Sequence, residues 1–281
     1  MKTLISLCLS MLCLMVLAKP IDSAHYDQVF KSYHACFILY DLTEGKIINL
    51  YNPLQRCSER LAPDSTFKVA LSLMAFDQKL IHQNTRFKWD GQIRELADWN
   101  QDQSPYSWLK YSTVWVSQRI SSQLGMPRIK QYLANFNYGN QDFSGDPGLH
   151  NGLSHAWLSS SLKISAWEQL DFLKAMLNGK LALDSQAIEN TKKNMYLGKL
   201  HNGANYFGKT GSGRHGRNER MSNPSPLRDG WFVGFIQNGK HQYIFVSNLT
   251  DKSVPAIKNN AYGSALLKPI TMSLLNQYFT K

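Results

Sequence analysis

A serine and a lysine three positions apart, Ser65 and Lys68 in Ser-Thr-Phe-Lys, open an apolar run of this chain. Residues i and i+3 of a helix share a face, so at this spacing a hydroxyl and an amine are neighbours. Ser107/Lys110 and Ser160/Lys163 repeat the spacing, so it does not by itself select one pair. Context does. Pro63 and Asp64 mark a helix start, with Asp64 as N-cap, and Phe67, Val69, Ala70, Leu71, Leu73, Met74 and Phe76 predict a helix from Ser65 to about Lys79. That helix is apolar on most sides, which makes it central and buried. Ser65 then lies where free backbone N–H groups and the positive end of the helix dipole stabilise an oxyanion. Lys68 points into apolar surroundings, and desolvation favours its neutral amine. A neutral Lys68 can deprotonate Ser65, or add carbon dioxide to become a carbamate that is itself a proton acceptor.

Two other groups carry chemistry. Ser112-Thr113-Val114 falls in an aromatic helical pattern containing Trp108, Tyr111 and Trp115, where a second hydroxyl can pass a proton between base, nucleophile and leaving group. Lys209-Thr210-Gly211 reads as an edge strand on which a cation and a hydroxyl grip a carboxylate while the glycine admits substrate closely. The histidines, His150 and His155 included, form no His-x-x-x-His and meet no acidic cluster, so no metal is expected.

The elements that must position these residues follow from patterning. Ala35–Tyr40 and Ile47–Tyr51 are apolar runs separated by Thr43, Glu44 and Gly45, a hairpin. Helical spacing covers Trp108–Ile120, Met126–Phe136 and Ser165–Asn178, with loops at Tyr138-Gly139-Asn140 and Gly145-Asp146-Pro147-Gly148. Trp231–Gln237 and Gln242–Leu249 flank Asn238-Gly239, a two-residue hairpin turn, and Tyr262–Phe279 closes the chain as a helix. Strands at both ends with helices between predict an α+β fold. Its antiparallel sheet is sewn from N- and C-terminal segments, with a helical subdomain around the central helix.

The ordered set Ser65-Thr66-Phe67-Lys68, Ser112-x-Val114, Tyr138-Gly139-Asn140, Trp157 and Lys209-Thr210-Gly211 resembles the class D β-lactamases, the oxacillinases, of the serine β-lactamase and penicillin-binding-protein fold. Trp89-Asp90-Gly91, Ser161–Ser165 and Trp231–Gly234 add to the likeness, which runs from about Ala35 to Leu249. It implies hydrolysis of penicillin- and oxacillin-type antibiotics, and hence resistance, through an acyl-enzyme on Ser65. Lys68, carried as N6-carboxylysine, is then the general base, with carbon dioxide or bicarbonate as the only accessory. Ser112 relays a proton to the lactam nitrogen, Val114 walls Lys68, and the Trp157 indole N–H supports the carbamate. Lys209, Thr210 and Gly211 bind the substrate carboxylate, while the backbone N–H groups of Ser65 and Ser212 form the oxyanion hole. Tyr138-Gly139-Asn140 is assigned mainly to loop architecture. A penicillin-sensing receptor domain or a D,D-peptidase, which acylate without turning over, are the alternatives.

Some positions depart from the family pattern. Ser212 stands where many relatives carry an aromatic residue, which opens the mouth of the site. Asp64 resembles a branch with an acidic residue before the nucleophile, where a carboxylate influences lysine carboxylation. A basic, turn-rich insertion between Gly213 and Trp231 (residues 214–229) is expected to form a long loop, and no arginine can be placed as the family's carboxylate ligand.

Length and composition frame these readings. The 281 residues are 43% hydrophobic and 18% charged, enough to bury a core. Lys2 followed by an apolar stretch ending at Ala18 reads as a secretory signal peptide, residues 1–24, cleaved after Ala18 or Ala24. Residues 25–281 then form one catalytic domain, periplasmic or secreted. The apolar run is shorter than the ~20 residues of a spanning helix. Cleavage removes Cys8 and Cys13 and leaves Cys36 and Cys57, which the hairpin brings close enough to form a disulfide. The formal charge of +11 is spread over the chain without a nucleic-acid-binding module, so a solvated basic surface is expected and nucleic acid is not. A monomer and a homodimer fit the sequence equally.

Overall fold

The computed structural model describes residues 21–216, 226–254 and 261–279. The signal peptide reading, apart from residues 21–24, lies outside the described residues, as do Arg217, Arg220 and Pro224 of the basic insertion. The chain runs through α1 (Ser23–Val29), β1 (Tyr33–Asp41), β2 (Lys46–Tyr51), α2 (Phe67–Asp77), α3 (Pro105–Tyr111), α4 (Val114–Asn135), α5 (Gly152–His155), α6 (Ala166–Leu177) and α7 (Ser185–Asn194). It then returns to the sheet with β3 (Tyr196–Lys199), β4 (Asn205–Arg214), β5 (Arg228–Asn238) and β6 (His241–Asp251), and ends in α8 (Gly263–Phe279). Among the described residues no helix is long and apolar enough to cross a membrane.

The six strands are antiparallel in the order β2-β1-β6-β5-β4-β3, so N-terminal β1 pairs with β6 across nearly the whole chain length. Successive strand side chains point to opposite faces. Cys36, Ile38, Trp231, Val233, Phe235, Ile244 and Val246 enter one core with α2, α4 and α6. Their neighbours Phe37, Leu39, Phe232, Ile236, Phe245 and Leu249 enter a second core under α1 and α8. Each such side chain contributes about 1.5–3 kcal/mol, against roughly 1 kcal/mol for a hydrogen bond, so this two-sided alternation fixes the register. The α+β expectation, with a sheet built from both ends of the chain, holds.

Cys36 and Cys57 are disulfide-linked, with Cα atoms 5.1 Å apart. The link joins β1 to the turn leading toward Ser65. Trp231 makes a second tie, donating its indole N–H to the Ala62 carbonyl at 2.9 Å.

Three readings of local structure are corrected. The helical pattern read continuously over Trp108–Ile120 breaks at Ser112, a left-handed residue (φ 57°) that caps α3 before α4 begins at Val114. Apolar residues continue across the break because the Trp108 indole reaches forward to Ser117 Oγ at 2.9 Å, keeping both helices on one core. Met126–Phe136 is the far part of α4, beyond a kink at Gly125 (φ 76°). The loop expected over residues 214–229 is also shorter at both ends, because β4 runs to Arg214 and β5 starts at Arg228.

Candidate active site

Asp64–Thr66 form a 3-10 turn that leads into α2. Asp64 does not cap this helix: its φ is 46°, and its buried carboxylate turns away to accept from the Ser159 N–H (2.9 Å) and hydroxyl (3.1 Å). The second carboxylate oxygen is buried without a hydrogen-bond partner. Thr66 holds the turn instead, donating its hydroxyl to the Pro63 carbonyl at 2.7 Å and accepting from the Gln169 amide at 2.9 Å.

The turn sets Ser65 directly over Lys68, whose Nζ donates to Ser65 Oγ at 3.0 Å. Lys68 is fully buried. Burial pulls its amine down to about 7, while the nearby Asp64 charge opposes the shift. Asp64 moves the other way, pushed up to about 7 by burial and then by the charge of Asp229. An amine titrating near neutrality and touching a serine hydroxyl is suited to accept its proton. The other Ser-x-x-Lys pairs have different uses. Ser107 shares a capping box with Ser104 while Lys110 lies over the rings of Tyr106 and Tyr111, and Ser160 donates to Asp146 at 2.7 Å.

Strand β4 forms the opposite wall. A Cβ at Gly211 would stand 2.8 Å from the Pro63 carbonyl oxygen and 3.2 Å from the Thr66 nitrogen, so the strand reaches the turn that carries Ser65 only with glycine there. Lys209 is buried and faces the helices, donating to Ser112 Oγ and, at 2.9 Å, to the Thr210 carbonyl. Burial holds its amine well below the usual lysine range, with the charges of Lys68 and Lys268 adding to the effect. Ser112 is thus pinned by Lys209 in a left-handed conformation that costs a non-glycine residue about 1–3 kcal/mol, a strain that active sites tolerate.

Ser65, Ser112, Val114, Thr210, Gly211 and Ser212 line one cavity of about 180 Å³. Leu96, Trp99, Leu158, Tyr262 and Ser264 complete it, five residues that carried no chemical pattern in the sequence. Val114 therefore lines the cavity over Ser65, and Lys209 stands behind the wall that Thr210 presents. Trp157 is fully buried and stacks on Phe67 and Phe143 at 5.6 and 5.9 Å. Its indole N–H has no partner, an orphaned donor held against the residue that precedes Lys68 in the chain. Tyr138-Gly139-Asn140 lies outside the cavity lining. The Asn140 side chain bonds the Ser161 carbonyl and the Lys163 N–H at 2.8 Å each, tying two loops together. Among the described residues no group of three or more His, Cys, Asp or Glu could hold a metal ion.

Comparison with known proteins places this arrangement. The penicillin binding protein transpeptidase domain family matches residues 35–276. The chain is 44% identical to β-lactamase OXA-1 of Escherichia coli over 249 residues, 88% of this chain and 86% of that relative. The solved structure of the OXA-427 class D β-lactamase superposes with a TM-score of 0.77 at 32% identity, covering 88% of this chain and 99% of that one. The C-terminal domain of the Bacillus licheniformis BlaR penicillin receptor also gives 0.77, at 28% identity, covering 94% and 97%.

Proposed function

The chain belongs to the class D serine β-lactamases, within the penicillin-binding-protein transpeptidase family, and we propose that it hydrolyses penicillin- and oxacillin-type β-lactams through an acyl-enzyme on Ser65. The observation that carries this is the 3.0 Å contact between Ser65 Oγ and the Nζ of a buried Lys68 whose amine titrates near 7.

Ser65 Oγ bonds to the lactam carbonyl carbon, its proton passes to Lys68, and the ring C–N bond breaks. Ser112, held by Lys209, relays that proton: its hydroxyl gives a proton to the departing nitrogen and is reprotonated from Lys68, which is again a base. The backbone N–H groups of Ser65 and Ser212 receive the oxyanion. Thr210 meets the substrate carboxylate, with Lys209 Nζ 3.5 Å behind its hydroxyl. Water then adds to the ester carbon, and the Ser65–carbonyl bond breaks to restore the serine and release the acid.

Lys68 would carry carbon dioxide as a carbamate on its neutral nitrogen, one proton being lost. Bound there, the group supplies an oxygen base for both halves of the cycle. The residues fit it, because Trp157 offers a buried indole N–H with no other partner and Val114 adds an apolar wall to the cavity. The segment that ends at Ala18 or Ala24 directs export and is removed, so the enzyme acts in the periplasm or outside the cell and confers resistance there. Mass spectrometry of protein trapped with a penicillin tests the nucleophile: the adduct belongs on the peptide carrying Ser65, and an adduct elsewhere would remove Ser65 from this role.

A further inference from the structure

A second and larger cavity, of about 520 Å³, adjoins the one over Ser65 and shares Leu158, Ser212 and Tyr262 with it. Asp64, Ser159, Gly213, Arg214 and Ala261 line its far side. Where the two spaces meet, the Tyr262 hydroxyl, which lines both, donates at 3.2 Å to the carboxylate of Glu95, which lines the larger one; both side chains are exposed. The two ends come from opposite walls of the cleft. Glu95 belongs to the helical side, on a loop whose next residues Leu96 and Trp99 line the smaller cavity. Tyr262 belongs to the sheet side, immediately before α8.

Both ends are anchored. Beside Glu95, Arg94 takes a two-pronged ion pair with Asp90 (2.9 and 2.7 Å) and its guanidinium lies over the Trp115 ring at 5.6 Å. The Arg94 backbone is clasped by Asn100, which accepts from its N–H at 2.8 Å and donates to its carbonyl at 3.0 Å. Beyond Tyr262, the Ser264 N–H donates to Ser212 Oγ at 3.0 Å, and the Ser212 hydroxyl donates back to Ser264 Oγ at 2.8 Å. A Cβ at Gly263 would stand 2.2 Å from the Asp229 carbonyl oxygen, so the residue after Tyr262 is packed hard on β5. The backbone beside each end is therefore held in place, and the two exposed side chains meet between these anchors.

We propose that Glu95 and Tyr262 are specificity-determining residues, whose bond across the cleft divides the space over Ser65 from the larger cavity and so limits the size of the acyl side chain that a β-lactam can carry. The inference rests on the β-lactam reading of the site. The nucleus of the antibiotic is held over Ser65 by Thr210 and Gly211. A bulky side chain must pass Tyr262 to reach the larger cavity, whereas the unacylated penicillin nucleus does not approach the bond.

The test measures the second-order acylation constant of Ser65 for oxacillin and for the unacylated penicillin nucleus, in the wild type and in Glu95→Ala, Tyr262→Phe and the double variant. Each single change is expected to raise the oxacillin-to-nucleus ratio about three- to tenfold, the worth of one hydrogen bond. The double variant should gain no more than either single one, because both break the same bond. A ratio within twofold of wild type in both single variants, a fall in the ratio, or fully additive gains would overturn the proposal. Acylation rather than turnover is measured so that a wild type that acylates without turning over contradicts the hydrolytic reading while the ratio still reports on the bond. No acylation by either compound would overturn both.

Discussion

Asp64 and Lys68 lie in one buried compartment on either side of Ser65, and burial shifts them in opposite directions to nearly the same value, about 7 each. The carboxyl is drawn up and the amine drawn down because neither side chain is solvated. The Asp64 charge opposes the shift of the amine only partly, and at Asp64 the Ser159 hydrogen bonds and the Lys163 charge do the opposing. A site arranged this way holds a base ready at neutral pH at the expense of stability, and its consequences can be measured.

Lys68 serves both halves of the proposed cycle, but Ser65 can attack a strained lactam unaided far more readily than water can attack an ester unaided. Lys68→Ala is therefore expected to acylate slowly and to deacylate hardly at all, the first step losing the lower part and the second the upper part of roughly 10²–10⁴-fold. Pre-steady-state kinetics with mass detection of the acyl-enzyme separates the steps. Unchanged hydrolysis would remove Lys68 from the reaction.

Protonation of Lys68 sets the acid side of the pH profile. Below about 7 it is an ammonium that neither accepts the Ser65 proton nor adds carbon dioxide, so kcat/KM should rise with pH through that value. Added bicarbonate should raise the rate most on the acid side. In Asp64→Asn, the charge that favours the ammonium is gone, and the acid limb should move to lower pH. Trp157→Phe removes the orphaned indole donor and should need about tenfold more bicarbonate for the same rate, the worth of one hydrogen bond to a charged group. A profile indifferent to bicarbonate in every variant would contradict the carbamate.

Stability carries the same signature. The folded value of Lys68 lies below its ordinary 10.5, so between about 7 and 10.5 the unfolded chain binds more protons. Stability contributed at this residue then rises with pH across that window, and below it the buried ammonium is a full cost. Lys68→Met should raise Tm at pH 7 in carbon-dioxide-free buffer, by about 2–4 °C per kcal/mol recovered. The advantage should shrink toward pH 10. An advantage that grows with pH would contradict the burial argument.

Gly213 is a second structural test. A Cβ there would lie 2.3 Å from both Asp64 Oδ2 and Ser159 Oγ. Gly213→Ala should cost about 1–3 kcal/mol of stability and displace the strand that carries Ser212. Wild-type stability together with wild-type activity would show that the two loops are not packed as described.

Much of this site is legible in the sequence, for physical reasons. The central helix announces itself by apolar residues on every side, and the sheet by strands whose alternation serves two cores. The Asn238-Gly239 turn and the closing helix follow the local rules of turn and helix chemistry. Those rules fail where tertiary contacts outbid them. Asp64 has the side chain and position of an N-cap, yet Ser159, 95 residues away in sequence, takes its carboxylate. Ser112 interrupts a smooth apolar periodicity because Lys209, 97 residues away, holds its hydroxyl. Leu96, Trp99, Tyr262 and Ser264 reach the cavity through loop and helix placement that no local pattern encodes. The short helices α1 and α7, whose buried faces amount to a few residues each, also escaped the periodicity.

The most direct measurement is the number of β-lactam molecules consumed per Ser65 when purified enzyme is mixed with excess penicillin. Many turnovers, with a transient acyl-enzyme on Ser65, are the expected result. A single equivalent of stable adduct and no further consumption would contradict hydrolysis and make the chain a receptor or peptidase built on the same serine and lysine.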